Sequence, residues 1–172
     1  MATLKGGEEF CRRLDEISEG LTKGGKLKVG WPQGTTYPDS GIEVGLVAAF
    51  NEFGVPSHNQ PPRPFMRLAI QENSPYWAPQ IANLLQANDY DTVKVLNLMG
   101  IEIVGQVQDS IDKLLEPPLA PSTIARKGFD KPLIETNLMR STVSFEVEEG
   151  KARAPQGIFS RMLRSLKSLF SG

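Results

Sequence analysis

The chain has 172 residues, 40% apolar and 23% charged, an ordinary balance for a folded protein and long enough to bury a core. A formal net charge of -1 argues against a general nucleic-acid binder, whose phosphate contacts need an excess of Lys and Arg, and a single cysteine, Cys11, excludes an internal disulfide and fits a reducing cytoplasm. No apolar run reaches the length of a membrane span and the first residues lack a charged-then-apolar signal layout, so a soluble protein made in the cytoplasm is expected.

Residues 3 to 20 place Leu4, Phe10, Leu14, Ile17 and Leu21 near one helical face, which predicts an amphipathic first helix broken by Gly24-Gly25. Cys11 flanks that stripe and reads as a small buried or half-buried side chain, since nothing nearby would generate its thiolate. Lys26 to Trp31 alternates polar with apolar residues, as a half-buried strand does, and Pro32 to Gly41 is a turn-rich loop. Val44, Val47, Ala48 and Phe50 predict a short helix with a buried stripe, stopped by Gly54. Pro56, Pro61, Pro62 and Pro64 bar a helix through the next segment and force a loop.

From Pro64 the residues Phe65, Leu68, Ala69, Glu72 and Asn73 suit a new helix, with a kink or split expected near Pro75 and Pro79 and resumption through Ile81, Leu84 and Leu85. Asp89 or Asp91 can cap the following helix, the longest expected. Its apolar face is Val93, Leu96, Leu98, Gly100, Ile103, Val104, Val107, Ile111 and Leu114, and it ends at Glu116-Pro117-Pro118. Pro121-Ser122-Thr123 opens a short helix that Gly128 ends, and Lys131 to Ile134 enters a second short turn or helix. Ser141 to Glu148 is a strand with Val143, Phe145 and Val147 inward, expected to run antiparallel to the strand near Val29. Lys151 to Gly157 reads as a linker. After it, Ile158, Phe159, Met162, Leu163, Leu166, Leu169 and Phe170 line one face of an amphipathic helix whose other face carries Arg161, Arg164 and Lys167. The expected architecture is an α+β domain over 1–150, a small antiparallel sheet packed with two or three helices, plus a C-terminal amphipathic helical arm over 151–172.

Glu52-Phe53-Gly54, a short loop and Pro62-Arg63-Pro64-Phe65-Met66-Arg67 together resemble a signature of the tail-completion, minor-tail or neck proteins of long-tailed bacteriophages. Upstream, Val29-Gly30-Trp31 and Thr36-Tyr37-Pro38 with Gly41 and Val44 look like the same family's strand, loop and turn. Downstream, Pro121 to Gly128 and Lys131 to Thr136 look like its second signature, so the resemblance covers roughly residues 26 to 148. Asn137 stands where the family pattern has glycine, and asparagine can take the same left-handed conformation.

The resemblance implies a structural protein of the virion neck or tail, assembled in the host cytoplasm. It would act as a homo-oligomeric ring of about six copies, or about twelve near the portal. Its implied partners are tail terminator, head-closure or connector proteins, with DNA passing through the lumen, and it needs no cofactor, metal or membrane.

Little in the chain suggests chemistry. The only histidine, His58, lies in a proline-bounded loop without a second ligand at metal spacing, and neither a nucleophile elbow nor a phosphate-binding glycine loop is present. Glu43, Glu52 and the group Glu146, Glu148, Glu149 read as solvated faces rather than a paired acid and base.

The stretch Glu52 to Phe65 supports two compatible readings. In one, Phe53 and Phe65 anchor the loop ends in the core while Arg63 pairs with Glu52 as a local clamp. In the other, the loop reaches a neighbouring subunit, and rigid ends lower the entropy lost on binding. The candidate interface residues are Tyr37, Asp39, Glu52, Phe53, Val55, His58, Arg63 and Phe65, together with Phe159, Met162, Leu163, Leu166 and Phe170 on the arm. Arg126, Lys127, Lys131 and Arg140 are candidates to face DNA. The rival class is a monomeric nucleic-acid-binding or host-interacting accessory protein, with Arg126, Lys127, Arg140, Arg161, Arg164 and Lys167 as its contacts.

Overall fold

The expected helices and strands form an α+β fold in the computed structural model, which describes residues 7–119, 124, 125, 128, 133 and 137–150. In chain order these are α1 (Gly7–Thr22), β1 (Gly25–Gly30), α2 (Val44–Phe53), a single 3-10 turn (Pro56–His58), α3 (Phe65–Ala87), α4 (Thr92–Lys113), α5 (Leu138–Ser141) and β2 (Ser144–Glu149). β1 and β2 pair as a two-stranded antiparallel sheet. Of the short helix expected from Pro121 to Gly128, Ile124 and Ala125 are helical and the Gly128 amide donates to the Ile124 carbonyl at 2.8 Å, with Gly128 at φ +79. The arm over 151–172 lies outside the described residues.

The described residues divide into two compact units, one drawn from 7–27, 80–97 and 147–150, the other from 28–79 and 98–146. In the first, α1 stops where expected, with Gly24 at φ +46, a conformation that costs glycine little. Only the middle of the expected α1 stripe is covered: Leu14 and Ile17 are half-buried, whereas Phe10 and Leu21 are about half exposed. Cys11 is half-buried. Of the two candidate caps, Asp91 caps α4, its carboxylate accepting the Lys94 amide at 3.0 Å. Asp89 instead occupies a left-handed turn and meets Arg13 at 2.8 Å, an exposed pair whose attraction water screens.

The second unit holds a core of Val44, Ala48, Phe65, Ala69, Val107, Ile111, Leu114, Met139 and Val143, with Val29, Trp31 and Tyr37 packed against its edge. Phe65 meets Trp31 edge-to-face with ring centroids 5.9 Å apart, and the Trp31 indole N–H donates to the Met139 carbonyl at 2.7 Å. The Phe65 carbonyl accepts from the buried Ser110 hydroxyl at 2.7 Å. In β2, Phe145 is half-buried and Val143 just before the strand is buried, following the expected alternation. Asn137 takes the anticipated left-handed conformation at φ +59.

Two expectations about the long helices are corrected. Of the kink or split expected near Pro75 and Pro79, the split does not occur: α3 runs through both prolines and, at 23 residues against 22, is longer than α4. The prolines lie four apart on one exposed face, so the carbonyls they leave unpaired, those of Gln71 and Pro75, fall on the solvent side, where water can satisfy them. On α4, Leu98 is 39% exposed, outside the buried face expected for it, while Gly100 is buried directly beneath Phe145. A β-carbon at Gly100 would stand 2.3 Å from the Phe145 ring. Gly100→Ala should therefore destabilise the protein by about 1–3 kcal/mol through overpacking, read as a lowered urea midpoint.

Candidate interaction surface at the elbow between two helices

α2 buries Val44, Ala48 and Glu52 at four-residue intervals, one helical stripe that ends in a carboxylate rather than a hydrocarbon. That carboxylate is used at once. Its oxygens accept the backbone amides of Met66 at 2.9 Å and Arg67 at 3.2 Å, in the first turn of α3, and the Arg67 Nε at 2.8 Å. A second Arg67 nitrogen donates to the Glu52 carbonyl at 2.9 Å. The last turn of α2 thus caps the N-terminus of α3, where unpaired amides and the helix dipole favour a negative charge.

The expected Glu52–Arg63 pair is replaced by Glu52–Arg67. Arg63 is buried and turned elsewhere, its guanidinium donating to the carbonyls of Pro117 and Pro118, each at 3.2 Å. Burial holds its pKa below the ordinary arginine value. Its backbone amide donates to the Asn51 carbonyl at 2.6 Å, and this main-chain link ties the end of the loop to α2. Arg63→Ala should leave residues 54–62 ordered and loosen 115–119, with a loss of about 1–2 kcal/mol; faster amide exchange confined to 115–119 is the expected readout.

The loop closes on itself. Val55 and Gln60 exchange backbone hydrogen bonds at 2.9 and 3.2 Å around the Pro56–His58 turn, and the Gln60 side chain reaches Asn51 at 3.2 Å. Gly54 is needed here twice over. Its φ is +76, and a β-carbon would stand 2.8 Å from both the Gln60 carbonyl oxygen and the Pro62 nitrogen.

The two expected aromatic anchors part company. Phe65 is in the core and therefore closed to a neighbouring subunit, as are the buried Glu52 and Arg63. Phe53 is 68% exposed with the Arg67 guanidinium 5.5 Å from its ring centroid, so it anchors nothing in the core and remains available at the surface. Of the other candidate contacts, Asp39 and His58 are exposed, Val55 is half-buried and Tyr37 lies against the core. The 32–41 loop is a closed turn, with Thr36 bridged to Glu43 and the Tyr37 amide donating to the Ile42 carbonyl at 2.9 Å.

Phe50, expected in the buried stripe, is 44% exposed, because two residues beyond Ala48 is about 200° around a helix. It joins Leu46 and Phe53 in an outward apolar stripe that the sequence reading missed, although the spacing i, i+4, i+7 carries it. Arg67 was likewise unassigned as the partner of Glu52.

Arg140 pairs with Asp112 at 2.8 Å, which offsets its charge, while Arg126 and Lys127, Lys131 and the arm residues Phe159, Met162, Leu163, Leu166 and Phe170 lie outside the described residues. Among the described residues no group of three His, Cys, Asp or Glu is placed to hold a metal ion, and no helix is long and apolar enough to cross a membrane. In comparisons with known proteins, no family model, curated protein or solved structure matches the chain.

Proposed function

We propose that this chain is a structural protein of the neck or tail end of a long-tailed phage, assembling as copies in a ring that completes the tail or joins it to the head. The observation that carries the reading is the elbow. The residues behind the resemblance have connected physical tasks: Glu52 caps α3, Gly54 admits the close approach of the loop, Arg63 and Phe65 are buried, and Arg67 closes over Glu52. The result is a short loop fixed at both ends beside an outward apolar helix face, suited to repeated contact with a neighbour at little ordering cost. Function in this reading is interface formation rather than catalysis.

The test is mass and stoichiometry of the protein in purified virions, finished tails and empty heads. About six copies in both virions and tails is the expected result for a tail-completion ring. Absence from virions overturns the structural reading and favours an accessory binder, for which a steep salt dependence of DNA affinity would be the mark.

A further inference from the structure

The outward stripe of α2 is an apolar helical face without cover: Leu46, Phe50 and Phe53 are 47%, 44% and 68% exposed, on the reverse of the face that builds the core. A ten-residue helix that is apolar on both sides is the pattern of a buried element, and here one side stays largely open, with the Arg67 guanidinium against Phe53 at its end. The setting is also acidic. Residues 32–62 contain Asp39, Glu43 and Glu52 and no Lys or Arg, with Asp39 and Glu43 exposed. Arg67, the cation beside Phe53, is engaged by Glu52.

One segment of the chain has the opposite character. Residues 151–172 carry Lys151, Arg153, Arg161, Arg164 and Lys167 with no acidic residue, and their apolar positions Phe159, Met162, Leu163, Leu166 and Phe170 recur at helical spacing. From Phe159 to Phe170 such a face would run about 17 Å, enough to cover the α2 stripe from end to end. We propose that the α2 stripe is the docking site for the C-terminal segment of a second copy of this chain.

This inference rests on the ring reading above. A closed ring needs two different, complementary surfaces on each copy, and these two match in apolar spacing and oppose in charge.

The experiment uses full-length chains in a Cys11→Ser background, one population carrying Phe50→Cys and the other Leu166→Cys, mixed and oxidised under native conditions. The expected product is a disulfide-linked mixed dimer at twice the chain mass, with a yield several-fold lower when Arg161, Arg164 and Lys167 are changed to Glu. In a third population carrying both cysteines on one chain, a disulfide that forms there, while the mixed dimer does not form, overturns the proposal in favour of docking on the same copy. Dimers of Phe50→Cys with itself, in place of the mixed product, overturn it in favour of a two-fold α2 contact, and absence of any disulfide also overturns it.

Particle stoichiometry separates this from the function itself. About six copies per virion without the mixed dimer leaves the ring and removes this docking site, while the mixed dimer without incorporation into particles leaves the docking and removes the neck assignment.

Discussion

Phe65→Ala is expected to cost about 3–5 kcal/mol, a large part of the total stability of a domain this size. Phe65 is 1% exposed, and its ring lies edge-to-face against Trp31, at 5.9 Å between centroids and 85° between planes. Trp31 is itself pinned by its hydrogen bond to Met139, so it cannot swing freely into the space the ring leaves. The cavity would therefore persist, and the cavity cost adds to the lost transfer energy. Urea unfolding followed by tryptophan fluorescence measures both the loss and the altered environment of Trp31. Phe65→Leu should recover more than half of the loss. A cost for Phe65→Ala under about 1 kcal/mol would mean that the elbow collapses around the deletion and that this core is not the rigid base of the loop.

Glu52→Ala should follow closely, at about 2–4 kcal/mol, because it removes a buried acceptor and leaves two α3 amides and a guanidinium without it. The buried carboxylate and the exposed guanidinium should not share the loss equally. The Arg67 side chain is 58% exposed against 7% for Glu52, so the charge attraction is screened by water, and Arg67→Ala should cost about 1 kcal/mol or less. Glu52→Gln should fall between the two, since its amide group keeps one acceptor but sets donors against donors. Urea midpoints for the three variants decide the matter. Equal losses for Glu52→Ala and Arg67→Ala would show that the ion pair, and not the capping of α3, holds the elbow.

Much of the architecture was legible in local patterns. Gly24 and Gly54 stop helices because they adopt positive φ, Asp91 caps α4 with its carboxylate, and the alternation around Phe145 marks a strand with one covered face. Asn137 in place of glycine keeps the left-handed turn for an equally local reason. Such features depend on the conformation of a few adjacent residues, which the sequence specifies directly.

The choice of partners was not local. Glu52 had two arginines within reach along the sequence, and only the emergence of α3 from Pro64 decided that Arg67 would face it while Arg63 turned to Pro117 and Pro118. The two faces of α2 were both apolar, so composition could not say which would be buried. Packing against α3, α4 and α5 buried Val44 and Ala48 and left Leu46, Phe50 and Phe53 outside. The prolines of α3 read as breaks because their cost depends on where the orphaned carbonyls point, and that is known only once the helix has an exposed side. Apart from the course of α3 through its two prolines, the sequence by itself determined where the chain turns and which segments are helix or strand, since those are properties of neighbouring residues. Tertiary structure alone decided which charges meet and which apolar face is left open, because both depend on residues far apart in the chain.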